Sequence, residues 1–203
     1  MGSRLLNAVV IAAALSFGTS TAAPAVGPQE LVRDTADKVL EEVTRHKAEL
    51  EKDTSRIYDL VQELVVPHFD FTRMSRAALG RYWRDASEEQ RERLTLEFRE
   101  LLVRTYAVAL LDYSGQQIQY LPVRIADDAQ EAMIPTRVAA GGPPIPIEYR
   151  LYRTNDAWKV FDVVIDSVSM VTNYRSTFAN QVRRNGIDGL IQQLADRNKQ
   201  LRG

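Results

Sequence analysis

The run Ile145-Pro-Ile-Glu-Tyr-Arg-Leu-Tyr-Arg153, then Thr154-Asn-Asp156, then Trp158-Lys-Val-Phe-Asp-Val-Val-Ile165 reads as two strands joined by a tight turn. In the first run Ile147, Tyr149 and Leu151 fall on one face and Glu148, Arg150 and Tyr152 on the other, the period of two of a half-buried strand. The second run is apolar on both faces. Thr-Asn-Asp is the composition of a hairpin turn. Upstream, Gln116 to Val123 and Glu131 to Ala139 are two further strand candidates, and Gly141-Gly-Pro-Pro144 reads as a loop tip. Connections this short predict an antiparallel meander of four strands.

On either side the period changes to helical. Pro28 to Lys52 reads as one amphipathic helix with Val32, Ala36, Val39, Leu40, Val43 and Leu50 on its apolar side. Asp53 or Thr54 caps a second helix carrying Ile57, Leu60, Val61, Leu64 and Val65, which Pro67 ends. Asp70 is placed to cap a short helix with Met74, Ala77, Ala78 and Leu79, and Gly80 stops it. Ser87-Glu-Glu-Gln90 is a capping box. The helix behind it runs to about Asp112, with Leu94, Phe98, Leu101, Leu102, Thr105, Val108 and Ala109 on one face. Val103, Tyr106, Leu110 and Leu111 add a second apolar face, so this helix is expected between the sheet and the other helices. After the fourth strand, Ser167 caps a helix with Val168, Val171, Tyr174, Phe178 and Val182 inward. Asn185-Gly186 breaks it, and a last helix carries Ile187, Leu190, Ile191 and Leu194. The order predicts an α+β fold: a curved four-stranded antiparallel sheet with helices packed on one face.

The 203 residues suit one domain with a proper core, and a net charge of -1 argues against a nucleic-acid partner, which would demand a cationic excess. The absence of Cys excludes disulfides, thiolate metal sites and a lipid-modified N-terminal Cys. Arg4, the apolar run Leu5 to Phe17 and the small residues Thr19 to Ala25 have the form of a secretory signal peptide; the run is too short for a membrane span, which needs about 20 residues. Cleavage is expected after Ala22, with Ala25 as the alternative, which makes 1–22 the signal and 23–203 the mature domain. No later segment is long and apolar enough to span a bilayer, so a soluble, exported protein is expected.

Chemistry-bearing patterns are sparse. His46 and His68 have no HExxH-like spacing, no Ser lies in a Gly-x-Ser-x-Gly elbow, and no Gly-rich loop opens a helix after a strand. Asp162 and Asp166 share strand parity, but at about 3.3 Å per residue they stand too far apart for an acid–base pair. Arg73, Arg76, Arg81 and Arg84 are opposed locally only by Asp70 and Asp85. They make either a solvated face or a basic rim for a lipid headgroup or an acidic partner.

Three segments resemble the MlaC (toluene-tolerance) family of phospholipid carriers. The first is Phe69-Asp-Phe-Thr-Arg-Met-Ser-Arg-Ala-Ala-Leu-Gly-Arg-Tyr-Trp-Arg84, running on through Asp85-Ala-Ser-Glu-Glu-Gln-Arg91 to Phe98-Arg-Glu-Leu-Leu102. The second is Trp158-Lys-Val-Phe-Asp-Val-Val-Ile-Asp-Ser-Val-Ser-Met170, and the third is Asn185-Gly-Ile-Asp-Gly-Leu-Ile191. The resemblance spans about Val32 to Ala195, though Gln116 to Ala140 matches in layout more than in residues. It implies a periplasmic, non-enzymatic carrier that holds a phospholipid by its acyl chains, needs no cofactor or metal, and shuttles lipid between outer and inner membranes to maintain outer-membrane lipid asymmetry. The partners it implies are an outer-membrane lipoprotein–porin complex and an inner-membrane ABC transporter with a periplasmic substrate-binding component; the carrier itself is expected to be a monomer.

Two acyl chains of about 16 carbons cost on the order of 25 kcal/mol to expose, at about 0.8 kcal/mol per CH₂, so an apolar cavity towards about 1,000 Å³ is expected. Its candidate lining is Val103, Tyr106 and Leu110 of the two-faced helix and Ile147, Tyr149 and Leu151 of the sheet. Phe161, Val163, Val168, Met170, Val171, Tyr174 and Phe178 complete the set. The Gly-Gly-Pro-Pro tip and Asp70 to Trp83 are candidates for a rim that opens. Two alternatives remain: an enzyme on a curved-sheet scaffold, with Asp162 or Asp112 turned inward, or a solid-cored periplasmic adaptor.

Overall fold

The computed structural model describes residues 26–113, 115–139, 142–155 and 157–202. The expected leader, and Gly141 and Asp156 of the two expected loop tips, lie outside the described residues. Helices α1 (Pro28–Arg45), α2 (Lys47–Lys52), α3 (Ser55–Leu64), α4 (Phe71–Leu79) and α5 (Glu88–Ala107) precede strands β1 (Ile118–Tyr120), β2 (Glu131–Val138), β3 (Ile145–Arg153), β4 (Trp158–Ile165) and β5 (Val168–Ser169). Helix α6 (Met170–Gln200) closes the chain. The sheet is an open antiparallel meander in the order β1-β2-β3-β4-β5.

It has five strands where four are expected. Asp166 and Ser167 both take positive φ, 47° and 66°, the geometry of a two-residue hairpin turn that matches strand twist. The chain therefore folds back, and Val168–Ser169 pairs with Val164–Ile165. This moves the helix start two residues on: Ser169, not Ser167, accepts the capping bond, from the Thr172 amide. The turn carries Asp-Ser rather than Asn-Gly, so its composition does not announce it.

A bulge explains why β4 is apolar on both faces. Leu151 pairs with Val160 but Arg150 pairs with Asp162, which leaves Phe161 without a partner in the register. Parity flips there. Trp158, Val160, Val163 and Ile165 consequently share one face with Ile147, Tyr149 and Leu151, while Asp162 and Val164 go to the other.

The helices follow their caps. Pro28 opens α1 at its first turn, and α1 stops at His46, seven residues short of the single helix expected to Lys52. Asp70 accepts from the Arg73 amide at 2.8 Å, and the Ser87–Gln90 capping box closes in both directions. Gly186, at φ 71° and ψ 179°, is a kink inside α6 at the expected break; such a backbone is open essentially to glycine alone.

Helix α5 is buried on two sides, between two groups of helices rather than between sheet and helices. Leu94, Phe98, Leu101 and Leu102 pack with α4 and α6, around Phe178, Leu190 and Ile191. Val103 and Ala107 pack with α1 and α3, around Val39, Val43 and Ile57. The sheet forms a third core with Ile134, Leu151, Trp158, Val160 and Val163, and α1 reaches it through Val32. Three cores that meet through α1, α5 and the shared Phe69 and Met170 leave room between them.

An apolar cavity between helices and sheet

That room is a cavity of about 380 Å³ open to solvent. One wall is α1, through Leu31, Val32, Thr35, Ala36, Val39 and Leu40. The sheet supplies Ile118, Ile147, Tyr149, Val160, Val163 and Ile165. The floor is Met74 from α4, Leu102, Val103, Tyr106 and Ala107 from α5, and Leu110 just beyond; α3 and the turn after it add Val61, Val65, Val66, His68 and Phe69. It is smaller than the 1,000 Å³ expected, because α1 packs onto the sheet at Val32 and closes that end.

Among the described residues no Asp, Glu, Lys or Arg lines it. His68 is the one group that titrates near neutrality, and burial, followed by the nearby Lys159 and Lys38, lowers its pKa, so the wall is uncharged at pH 7. Burial likewise raises the Tyr149 hydroxyl and keeps it a neutral phenol. At the mouth Tyr106 is 37% exposed; it stands near Tyr174, whose own pKa burial pushes up to about 12.

A catalytic reading finds little here. Asp162 lies on the far face of the sheet, held by Arg150 at 3.2 Å, Ser169 Oγ at 2.7 Å and the Val171 amide at 3.2 Å; it ties the sheet to the start of α6. Asp112 is exposed and off the cavity wall. His46 faces Glu42 and Glu49 at the surface. Among the described residues no group of three or more His, Asp or Glu could hold a metal ion, and no helix is long and apolar enough to cross a membrane.

A family model described as MlaC protein matches residues 33–196. The chain belongs to the MlaC family. It is 29% identical over 177 residues to the intermembrane phospholipid transport system binding protein MlaC of Haemophilus influenzae, covering 85% of this chain and 83% of that one. To the toluene tolerance protein ttg2D of Pseudomonas putida it is 28% identical over 163 residues, 79% of this chain and 75% of that one. Its fold matches that of the phospholipid-binding protein from Ralstonia solanacearum, solved in complex with a phospholipid, with a TM-score of 0.80 and 32% identity over 86% of this chain and 98% of that one.

In this MlaC-family chain the expected lining residues divide. Val103, Tyr106, Leu110, Ile147, Tyr149, Val163 and Met170 are on the cavity wall. Leu151 is not; it is fully buried in the sheet core. Val171 and Phe178 are buried in the helical core, and Tyr174 packs beside them, because they turn towards Phe98; the ring centroids of Phe98 and Phe178 are 5.1 Å apart, edge to face. The bulge takes Phe161 off the wall, to sit under the Arg73 guanidinium at 4.2 Å. Val168 lies on the short β5 hairpin and is 56% exposed. The α1 wall is absent from the sequence-derived set, since a wide apolar stripe does not tell which part of it packs and which faces a void.

The four arginines also separate. Arg73 turns to the sheet, with Glu131 at 2.6 Å and the Tyr152 and Phe161 rings. Arg76, Arg81 and Arg84 stay exposed. Beyond the wall residues Val66, Phe69 and Phe71 lies a second, polar groove with Asp70, Arg99, Tyr152 and Lys159. Tyr152 donates to Asp70 there, and Lys159 donates to the Pro67 carbonyl.

Proposed function

We propose that the chain is a periplasmic carrier that holds phospholipid by its acyl chains in the cavity between α1, α5 and the sheet, and moves lipid between outer and inner membranes in the service of outer-membrane lipid asymmetry. The observation that carries the reading is the uncharged wall of that cavity. Each CH₂ moved there from water gains about 0.8 kcal/mol, while a polar or charged ligand would leave its groups unpaired. The names of the Haemophilus and Pseudomonas relatives and the phospholipid complex of the Ralstonia protein support it. The tail contacts we assign are the seven wall residues named above together with Leu31, Ala36 and Leu40. Catalysis has no part in this reading, and the ligand is a phospholipid rather than a cofactor. The partners are an outer-membrane lipoprotein–porin complex and an inner-membrane ABC transporter with its substrate-binding component.

The test is gentle purification followed by lipid extraction and native mass spectrometry, with uptake from vesicles as the second measurement. Stoichiometric phospholipid is expected. Val163→Trp, which pushes an indole into the void, lowers uptake at least tenfold while circular dichroism stays unchanged. Protein that is lipid-free and takes none up would sink the reading.

A further inference from the structure

One guanidinium bonds to a phenol oxygen at the surface, and two more from α6 lie close by. Arg81 Nη2 donates to the Tyr82 hydroxyl at 2.9 Å and lies 4.9 Å from its ring centroid. Arg183, from the middle of α6, donates to the Asn180 side chain and lies close enough to act on the same oxygen, so that Arg81 first and Arg183 with it hold the Tyr82 pKa below the ordinary phenol value. Arg175, two turns earlier on α6, leans over Gly80, where a Cβ would meet its Nε at 3.1 Å. Arg84 and Arg184 are their near neighbours in sequence. All five are exposed, and none makes an ion pair with a described residue. Asp85 acts weakly on Arg81, and Asp188 of α6 is turned to α5, where it meets Gln90 and Arg93.

This cluster sits on a chain of net charge -1 and contains no lysine. The distinction matters, because the guanidinium fork matches phosphate oxygens in pairs and sheds its hydration more readily than an ammonium. The half-buried rings of Tyr82 and Trp83 lie in the same turn, and rings with a polar edge suit the headgroup layer of a bilayer. Helix α6 starts at Met170 on the cavity wall, and Arg175 lies five residues further along it. The basic cluster therefore begins within about two helical turns of the cavity.

We propose that Arg81, Arg175 and Arg183, grouped around Tyr82, form a docking site for the phosphodiester headgroups of an anionic membrane surface, separate from the cavity that takes the tails. The proposal rests on the carrier reading for its purpose: it sets the mouth of the cavity against the lipid surface.

The experiment is sedimentation of the full protein with vesicles of phosphatidylcholine alone, and of about three parts phosphatidylcholine to one part phosphatidylglycerol. Binding is expected to the anionic vesicles only, weakening as salt rises. The double variant Arg81→Gln/Arg183→Gln is expected to bind roughly 25-fold more weakly, at about fivefold per arginine. A control with the same charge change elsewhere, Arg45→Gln/Arg56→Gln, is expected to change binding less than about twofold. Equal losses in variant and control, or equal binding to both vesicles, would overturn the proposal. So would displacement by inorganic phosphate at matched ionic strength, which would mark a free-phosphate site, or binding to an acidic protein with none to the anionic vesicles. Wild-type protein that docks but carries no lipid by mass spectrometry would defeat the carrier reading and leave the docking site standing.

Discussion

Among the described residues of the cavity, His68 is the one whose charge can change near physiological pH. Burial lowers its pKa from the ordinary imidazole value of about 6.5. A base with a depressed folded-state pKa contributes stability above the unfolded-state value, and that contribution is lost as pH falls, because the unfolded chain takes up the proton first. The stability of the wild-type protein is therefore expected to fall more between pH 7.5 and pH 5.5 than that of His68→Gln. Urea unfolding of both proteins at the two pH values measures this, and parallel losses would show that His68 makes no difference. Sequence spacing placed His68 behind Pro67 and gave it no ligand role; that it borders an apolar void is a matter of tertiary contact.

Among the elements, the stop between α4 and the turn Gly80 to Trp83 is the most constrained. Gly80 has φ 61° and ψ -128°, a backbone that a side chain strains, and an added Cβ would stand 3.1 Å from the Arg175 Nε. Gly80→Ala is expected to cost about 1–3 kcal/mol, read as a lower urea midpoint with an unchanged slope. The helix stop itself was legible, since glycine after Met74, Ala78 and Leu79 is the usual terminator. The contact with Arg175 was not, because nearly a hundred residues separate the two. The strands divide in the same way. β3 has the bounds that alternation gives and β4 those of its apolar run, while β5 and the bulge at Phe161 depend on a turn of unremarkable composition and on one skipped partner.

For the molecule as a whole, volume is the informative quantity. Allowing about 30 Å³ per CH₂, a water's share of the liquid, two tails of 16 carbons need on the order of 1,000 Å³. The cavity of about 380 Å³ takes most of one tail. Loading both requires the walls to part, and α1 is expected to be the wall that moves, since its contacts with the sheet are few: Val32 and Leu31 in the core, Gln29 on the Leu121 carbonyl and Arg33 over the Tyr120 ring. With no native Cys, spin labels at Lys38→Cys on α1 and Arg137→Cys on β2 report this directly. A longer label-to-label distance is expected in lipid-loaded protein; an unchanged one would mean that a single tail, or an exposed second tail, is the bound form.

The caps at Asp70 and Ser87, strand alternation, the two-sided burial of α5 and the family itself follow from local pattern, because capping side chains and apolar periods act within a few residues of each other in the chain. The cavity does not. Whether an apolar residue packs or borders a void depends on how far apart α1, α5 and the sheet are held, and the same leucine or valine serves either purpose. For that reason Leu151 and Phe178 became core, Val168 went to solvent, and the α1 wall came to light only with the tertiary structure. The arginine cluster follows the same logic: Arg81 and Arg84 are near neighbours in sequence, but only the fold brings Arg175 and Arg183 to them and takes Arg73 away.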